Sequence, residues 1–131
     1  MTGLDTNVLV RYIMQDDIKQ SAKATKLIEG LSTVEPGFIP MVSIVELVWV
    51  LDSFYELDRA QIAQALDVIL RSKQLIVDQS EQVARALRTY SVGKADFADC
   101  LIERVAAAAG CSRTMTFDVA ASKSAGMTLI Q

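Results

Sequence analysis

Short apolar runs alternate with longer helical stretches from one end of this chain to the other. No other feature constrains the fold as much. Residues 2–5, 38–41, 74–77, 113–117 and 127–130 read as strands, and Pro40 makes the second of these short or irregular. Between them, apolar residues recur at helical spacing, as in Ala24, Leu27, Ile28 and Leu31, or Ile62, Leu66, Ile69 and Leu70. The predicted helices span 7–14, 19–31, 44–55, a segment capped by Asp58, 80–93, 96–109 and 118–124, with Gly110 as a C-cap. The 44–55 helix is apolar nearly all round, which predicts burial. Strand–helix alternation favours a parallel sheet covered by helices. The expectation is therefore an α/β fold, with one domain over residues 1–131 built on a short central parallel sheet of four to five strands. In such sheets functional groups collect outside the carboxyl ends of the strands.

The chain has 131 residues, 51% of them hydrophobic and 22% charged. That suits one domain with its own core and excludes a disordered chain. Sixteen acids face 13 bases, a formal charge of −3, which gives no general electrostatic help in binding nucleic acid. Histidine is absent, so Ser-His-Asp and Cys-His catalysis and zinc sites built on His are excluded. Catalysis must come from carboxylates, hydroxyls, Lys, Tyr or a metal held by oxygen ligands. Two cysteines, Cys100 and Cys111, are too few for a disulfide framework and fit a reducing compartment. Asp5 and Arg11 interrupt the apolar start, and no run approaches the roughly 20 residues of a membrane span. A soluble, cytoplasmic protein is expected.

Five carboxylates fall where strands end or helices begin: Asp5, Glu46, Asp96, Asp99 and Asp118. Each has an ordinary reading beside the functional one. Ser43-x-x-Glu46 and Asp96-x-x-Asp99 have the form of capping boxes, and Asp118 suits an N-cap. Asp5 is harder to dismiss, because a lone Asp is disfavoured in a short apolar strand. Taken together, acids at the ends of parallel strands would converge and repel one another. A hard divalent cation such as Mg²⁺ or Mn²⁺ resolves that conflict, and activates water for phosphodiester hydrolysis.

The motifs carrying these acids resemble those of PIN-domain nucleases in the VapC-like toxin branch. Gly3-Leu4-Asp5-Thr6-Asn7-Val8-Leu9-Val10-Arg11-Tyr12 is similar to their first motif, and Ser43-x-x-Glu46-Leu47-Val48-Trp49-Val50-Leu51 to the second. Ala95-Asp96-Phe97-Ala98-Asp99-Cys100-Leu101-Ile102 resembles the third, and Thr116-Phe117-Asp118 the fourth. Four motifs in order, over residue 3 to about residue 130, make the resemblance specific. It implies a Mg²⁺-dependent endoribonuclease (Mn²⁺ substituting), the toxin of a type II toxin–antitoxin pair. The implied partners are structured RNA, a VapB-like antitoxin and a second copy of the chain as a homodimer, with no membrane. Carried over by motif, Asp5 and Asp99 are the direct metal ligands, and Glu46 and Asp118 complete the catalytic pocket. Asp96 is either a further pocket acid or only the N-cap that holds Asp99 in place. Thr6 and Asn7 support the Asp5 turn, and Thr116 contacts the pocket or the scissile phosphate. Attack by metal-activated water implies 5′-phosphate and 3′-hydroxyl ends.

Arg11 and Tyr12 are candidates for RNA or antitoxin contact, against an ordinary surface role for Arg11. Trp49, Tyr55 and Phe54 could stack bases, but Trp49 lies among Val and Leu and is expected in the core or a dimer seam. Lys19, Lys23 and Lys26 share a helix face that is usually just solvated. Arg85, Arg88, Lys94 and Arg104 could guide a polyanion. Two alternatives remain inside the family, a housekeeping RNA-processing nuclease and a silent binding scaffold. A haloacid-dehalogenase-like phosphatase is disfavoured, because position 7 is Asn7 where that family needs a second Asp. Setting the five pocket acids aside leaves 11 acids for 13 bases, so the net negative charge is largely the site itself.

Overall fold

Three short strands pair in parallel at the start of the chain. They are β1 (Thr2–Gly3), β2 (Gly37–Ile39) and β3 (Leu75–Val77), in the order β1-β2-β3. Thr2 lies opposite Gly37, and Gly37, Phe38 and Ile39 lie opposite Leu75, Ile76 and Val77. Hydrogen bonds carry the ladder one residue further at two carboxyl ends: Leu4 N–H donates to the Phe38 carbonyl and Asp78 N–H to that of Ile39, both at 2.9 Å. β2 is central and fully flanked, and Gly37 suits it, because a Cβ there would come within 2.8 to 3.1 Å of Leu31, Leu4 and Leu75.

The computed structural model describes residues 1–131, which divide into two compact units, Met1–Asp78 and Gln79–Gln131. In the first, α1 (Thr6–Met14) and α2 (Ile18–Glu29) connect β1 to β2, while α3 (Met41–Ser53) and α4 (Arg59–Arg71) connect β2 to β3. Parallel neighbours need such crossovers. Helix α1 packs on α2 and on α3, and α4 on α3 and β3. Leu9, Ile28, Ile39, Ile44, Leu47, Leu51, Ile62 and Leu66 are fully enclosed.

The second unit holds α5 (Ser80–Val92), α6 (Phe97–Ala108), β4 (Met115–Thr116), α7 (Val119–Ser124) and β5 (Thr128–Leu129). Helices α5 and α6 pack together, with Tyr90 and Phe97 edge to face at 5.7 Å. Gly110, at φ +99°, ends α6 as expected: its N–H reaches the Ala107 carbonyl and that of Cys111 the Ala106 carbonyl. β4 and β5 pair in parallel around α7. No helix is long and apolar enough to cross a membrane.

The α/β class and the parallel pairing stand as expected, and the five strands form two ladders, one in each unit, rather than a single sheet. Two local expectations are corrected. Helix α3 starts at Met41 rather than after Ser43, so Ser43 and Glu46 form no capping box. Pro40 occupies the cap position without a side-chain bond, and Asp78, the residue after β3, supplies one instead, its Oδ2 accepting from Met41 N–H at 3.4 Å. Nor is α3 buried all round. Ile44, Leu47, Val48 and Leu51 face the core, whereas Trp49 is 66% exposed and Val42 stands in solvent beside it. Trp49 is therefore not a core residue.

Arg11 is tied down within the first unit. Its Nε donates to Gln20 Oε1 at 2.7 Å, and its Nη1 reaches Asp16 Oδ1 and the Tyr55 hydroxyl, each at 3.1 Å. Tyr55 in turn donates to Asp16 Oδ2 at 2.7 Å. The clasp joins α1, the start of α2 and the end of α3. The Tyr55 hydroxyl foremost, then the backbone N–H of Asp16 itself and the Arg11 guanidinium, hold the Asp16 carboxyl below the usual carboxylate range. A lowered pKa adds stability above the unfolded-state value, lost as pH falls through the folded one. Asp16→Asn should therefore lower the urea midpoint at pH 7, with the gap to wild type closing as the pH falls below the ordinary carboxylate range.

Candidate active site

Asp5 follows the last ladder residue of β1 and caps α1. Its backbone is extended (φ −78°, ψ 157°), and Oδ1 accepts from Thr6 N–H at 2.8 Å. One carboxylate oxygen is thus occupied by the helix start and the other has no protein partner. Thr6 is buried and fixes the turn, while Asn7 is exposed beside it. Glu46 lies in the second turn of α3 and is exposed. With the capping box gone, it has no structural hydrogen bond to explain it. Asp5 and Glu46 both belong to the first unit.

Asp96, Asp99 and Asp118 belong to the second unit, and the fold brings these three together. Asp96 stands at the N-cap position of α6, but its side chain makes no cap bond, so the carboxylate is not spent on the helix. Asp99, three residues on, shares that helix face. Asp118 caps α7, its Oδ1 accepting from Ala121 N–H at 3.1 Å, and its own N–H donates to Thr116 Oγ1 at 3.0 Å. Burial, then the charges of Asp96 and Asp118, pushes the Asp99 carboxyl above its ordinary value. No hydrogen bond or ion pair relieves it.

Such a set suits a hard cation. Every donor is a carboxylate or hydroxyl oxygen, and the like charges around Asp99 are what a cation would offset. No group of three or more His, Cys, Asp or Glu side chains forms a cage that could hold a metal by itself. That is compatible with Mg²⁺, which keeps several waters and takes one or two protein carboxylates.

A family model described as PIN domain matches residues 4–126, from the residue before Asp5 to well beyond Asp118. The chain belongs to the PIN-domain family. It is also similar to a VapC ribonuclease of Aquifex aeolicus (strain VF5), 27% identical over 117 residues, which cover 89% of this chain and 87% of the relative. No solved structure matches it.

Several side chains of this PIN domain stand differently from their sequence reading. Arg11 is committed to the Asp16–Tyr55 clasp, and Tyr12 is half-buried. Arg85 pairs with Glu81 and Arg104 with Glu103, which leaves less free positive charge in the second unit than a count of bases suggests. Lys19, Lys23 and Lys26 are exposed, as a solvated face would be. Sequence reasoning passed over two residues. Asp78 carries no local sign of its cap on α3, because its partner lies 37 positions away. Phe117 is fully displayed between Thr116 and Asp118, and its place inside the fourth motif was the available signal.

Because the ionised Asp99 is disfavoured in the folded state, its charge lowers stability once the pH is above the range in which it titrates. Asp99→Asn should raise the thermal midpoint of the metal-free protein at pH 7 by a few degrees, measured by differential scanning calorimetry.

Proposed function

We propose that this chain is a divalent-cation-dependent endoribonuclease, the toxin of a type II toxin–antitoxin pair, acting in the cytoplasm with Mg²⁺ as its natural ion and Mn²⁺ as a substitute. The observation that carries the reading is Asp99. A half-buried carboxylate held up by two neighbouring acids is unfavourable for a scaffold and useful for binding a cation. The PIN-domain match and the similarity to a VapC ribonuclease support the same reading. On it, Asp5 and Asp99 hold the ion, and Glu46 and Asp118 complete the site through water. The missing cap bond favours Asp96 as a pocket acid rather than a helix cap.

When bound, a divalent cation lowers the pKa of water and offsets charge on the scissile phosphate. The protein's own groups do the rest. Asp118, fixed by Thr116 and by its cap on α7, presents a free oxygen to accept a hydrogen bond from water. Glu46 does the same from α3. Asp5 is oriented by the Thr6 N–H, with Asn7 beside it. In-line attack by water on phosphorus breaks the bond to the 3′-oxygen, which takes up a proton. The fragments then carry 5′-phosphate and 3′-hydroxyl ends. A VapB-like antitoxin as inhibitor and a homodimer, with the exposed Val42 and Trp49 of α3 as the candidate seam, belong to the same proposal.

RNA cleavage should require Mg²⁺ or Mn²⁺ and vanish in EDTA. Asp5→Asn and Asp99→Asn should each reduce it about a hundredfold or more. Wild type that is inactive on total RNA and binds no metal would favour a silent scaffold instead. Analysis of the product ends should find 5′-phosphate and 3′-hydroxyl, and 2′,3′-cyclic phosphate would exclude the mechanism. Asp96→Ala should lower activity while leaving the thermal midpoint within about a degree, since the carboxylate caps nothing.

A further inference from the structure

Phe117 is a large apolar side chain that packs against nothing aromatic. It is 81% exposed, and the paired rings of the protein are Phe54 with Tyr55 and Tyr90 with Phe97. Its backbone is nevertheless held firmly. On one side, Thr116 is in the β4–β5 ladder, where Ile130 N–H donates to its carbonyl at 2.8 Å. On the other, Asp118 is locked by Thr116 Oγ1 and by its cap on α7. Only two side-chain torsions remain free, so little entropy is lost when a ligand orders the ring.

The position of the ring gives it a chemical context. Asp118, the next residue, lies near enough to Asp99 for its charge to act there. The Phe117 backbone therefore adjoins the acidic cluster. That cluster repels a phosphodiester until a cation is bound, so a contact that does not depend on charge adds affinity the acids themselves cannot supply. Of the three exposed aromatic residues, Phe117 alone lies between two candidate site residues, Thr116 and Asp118. Trp49 is exposed too, but in mid-α3 of the first unit, and Phe54 leans on Tyr55.

We propose that Phe117 is a stacking platform for an unpaired RNA base flanking the phosphate bound at the Asp96–Asp99–Asp118 cluster. The proposal rests on the ribonuclease reading above and names the class of substrate as RNA with splayed, single-stranded bases. Ring-on-base stacking tolerates any base, because each has a π face. It also favours loops and unpaired segments over duplex, whose bases are already stacked on one another.

The test is RNA binding in low-salt buffer with Ca²⁺ in place of Mg²⁺, the strand checked on a gel to be uncut, read by fluorescence anisotropy. The probes are a fluorescein-labelled 12-nucleotide single strand of mixed sequence, its duplex, and a set with one abasic position each. Phe117→Ala should weaken single-strand binding about 5- to 100-fold. Phe117→Tyr should restore it, Phe117→Leu should not, and duplex binding should change little. One abasic position should cost wild type a similar factor and cost Phe117→Ala nothing. Unchanged binding by Phe117→Ala would overturn the proposal. So would full rescue by Leu, which would mark a plain apolar contact such as a protein partner's, or abasic losses that simply add. If wild type cuts RNA with Mg²⁺ while these results fail, only the stacking role falls. If wild type neither binds nor cuts RNA, the ribonuclease reading falls with it.

Discussion

Parallel pairing of very short strands decides where the acidic side chains of the first unit can go. The β1–β2–β3 ladder has two or three residues per strand, and its last bonds, from Leu4 and Asp78, bring it to an end beside two acids. A parallel ladder cannot be closed by a tight turn, so each strand must run out into a helix. Asp5 is therefore the joint between β1 and α1, with one oxygen given to the helix start. Asp78 is the joint after β3, with one oxygen given to α3. The same backbone requirement produces a free carboxylate oxygen in one case and a structural cap in the other.

In the second unit burial and then repulsion act on one carboxylate. Asp99 is half-buried and faces Asp96 and Asp118 without a compensating partner. A fold selected only for stability would place an amide there. A raised carboxyl pKa that lowers stability is a common mark of a working site. Thr116 and the α7 cap hold Asp118 in place without neutralising it, and Arg85 and Arg104 of the same unit pair with Glu81 and Glu103 instead.

Legibility followed the range of the interaction. The Asp58-capped start of α4 could be read because the cap is local: Asp58 bonds Gln61 N–H, and Gln61 returns the bond to Asp58 N–H. The Gly110 stop was local in the same way. Ser43-x-x-Glu46 has an equally good local pattern and is not a cap, because α3 starts two positions earlier, where Asp78, just past β3, accepts from Met41 N–H. Of the two places expected for Trp49, core or dimer seam, the core is excluded for a related reason. Hydropathy marks α3 as apolar, but α1 and α4 cover only part of its surface.

By itself the sequence determined the order of strands and helices, the exclusion of histidine chemistry, and the motifs that place Asp5, Glu46, Asp96, Asp99 and Asp118 near element junctions. Those properties depend on residue identity and short spacing, which the chain carries locally. Only the tertiary structure decided which strands pair and which acids feel each other's charge. It also decided which were free of capping duty and which aromatic was left in solvent. Those outcomes depend on contacts between residues far apart in the chain, and a local pattern such as Ser43-x-x-Glu46 reads the same whether or not a distant Asp78 has taken its place.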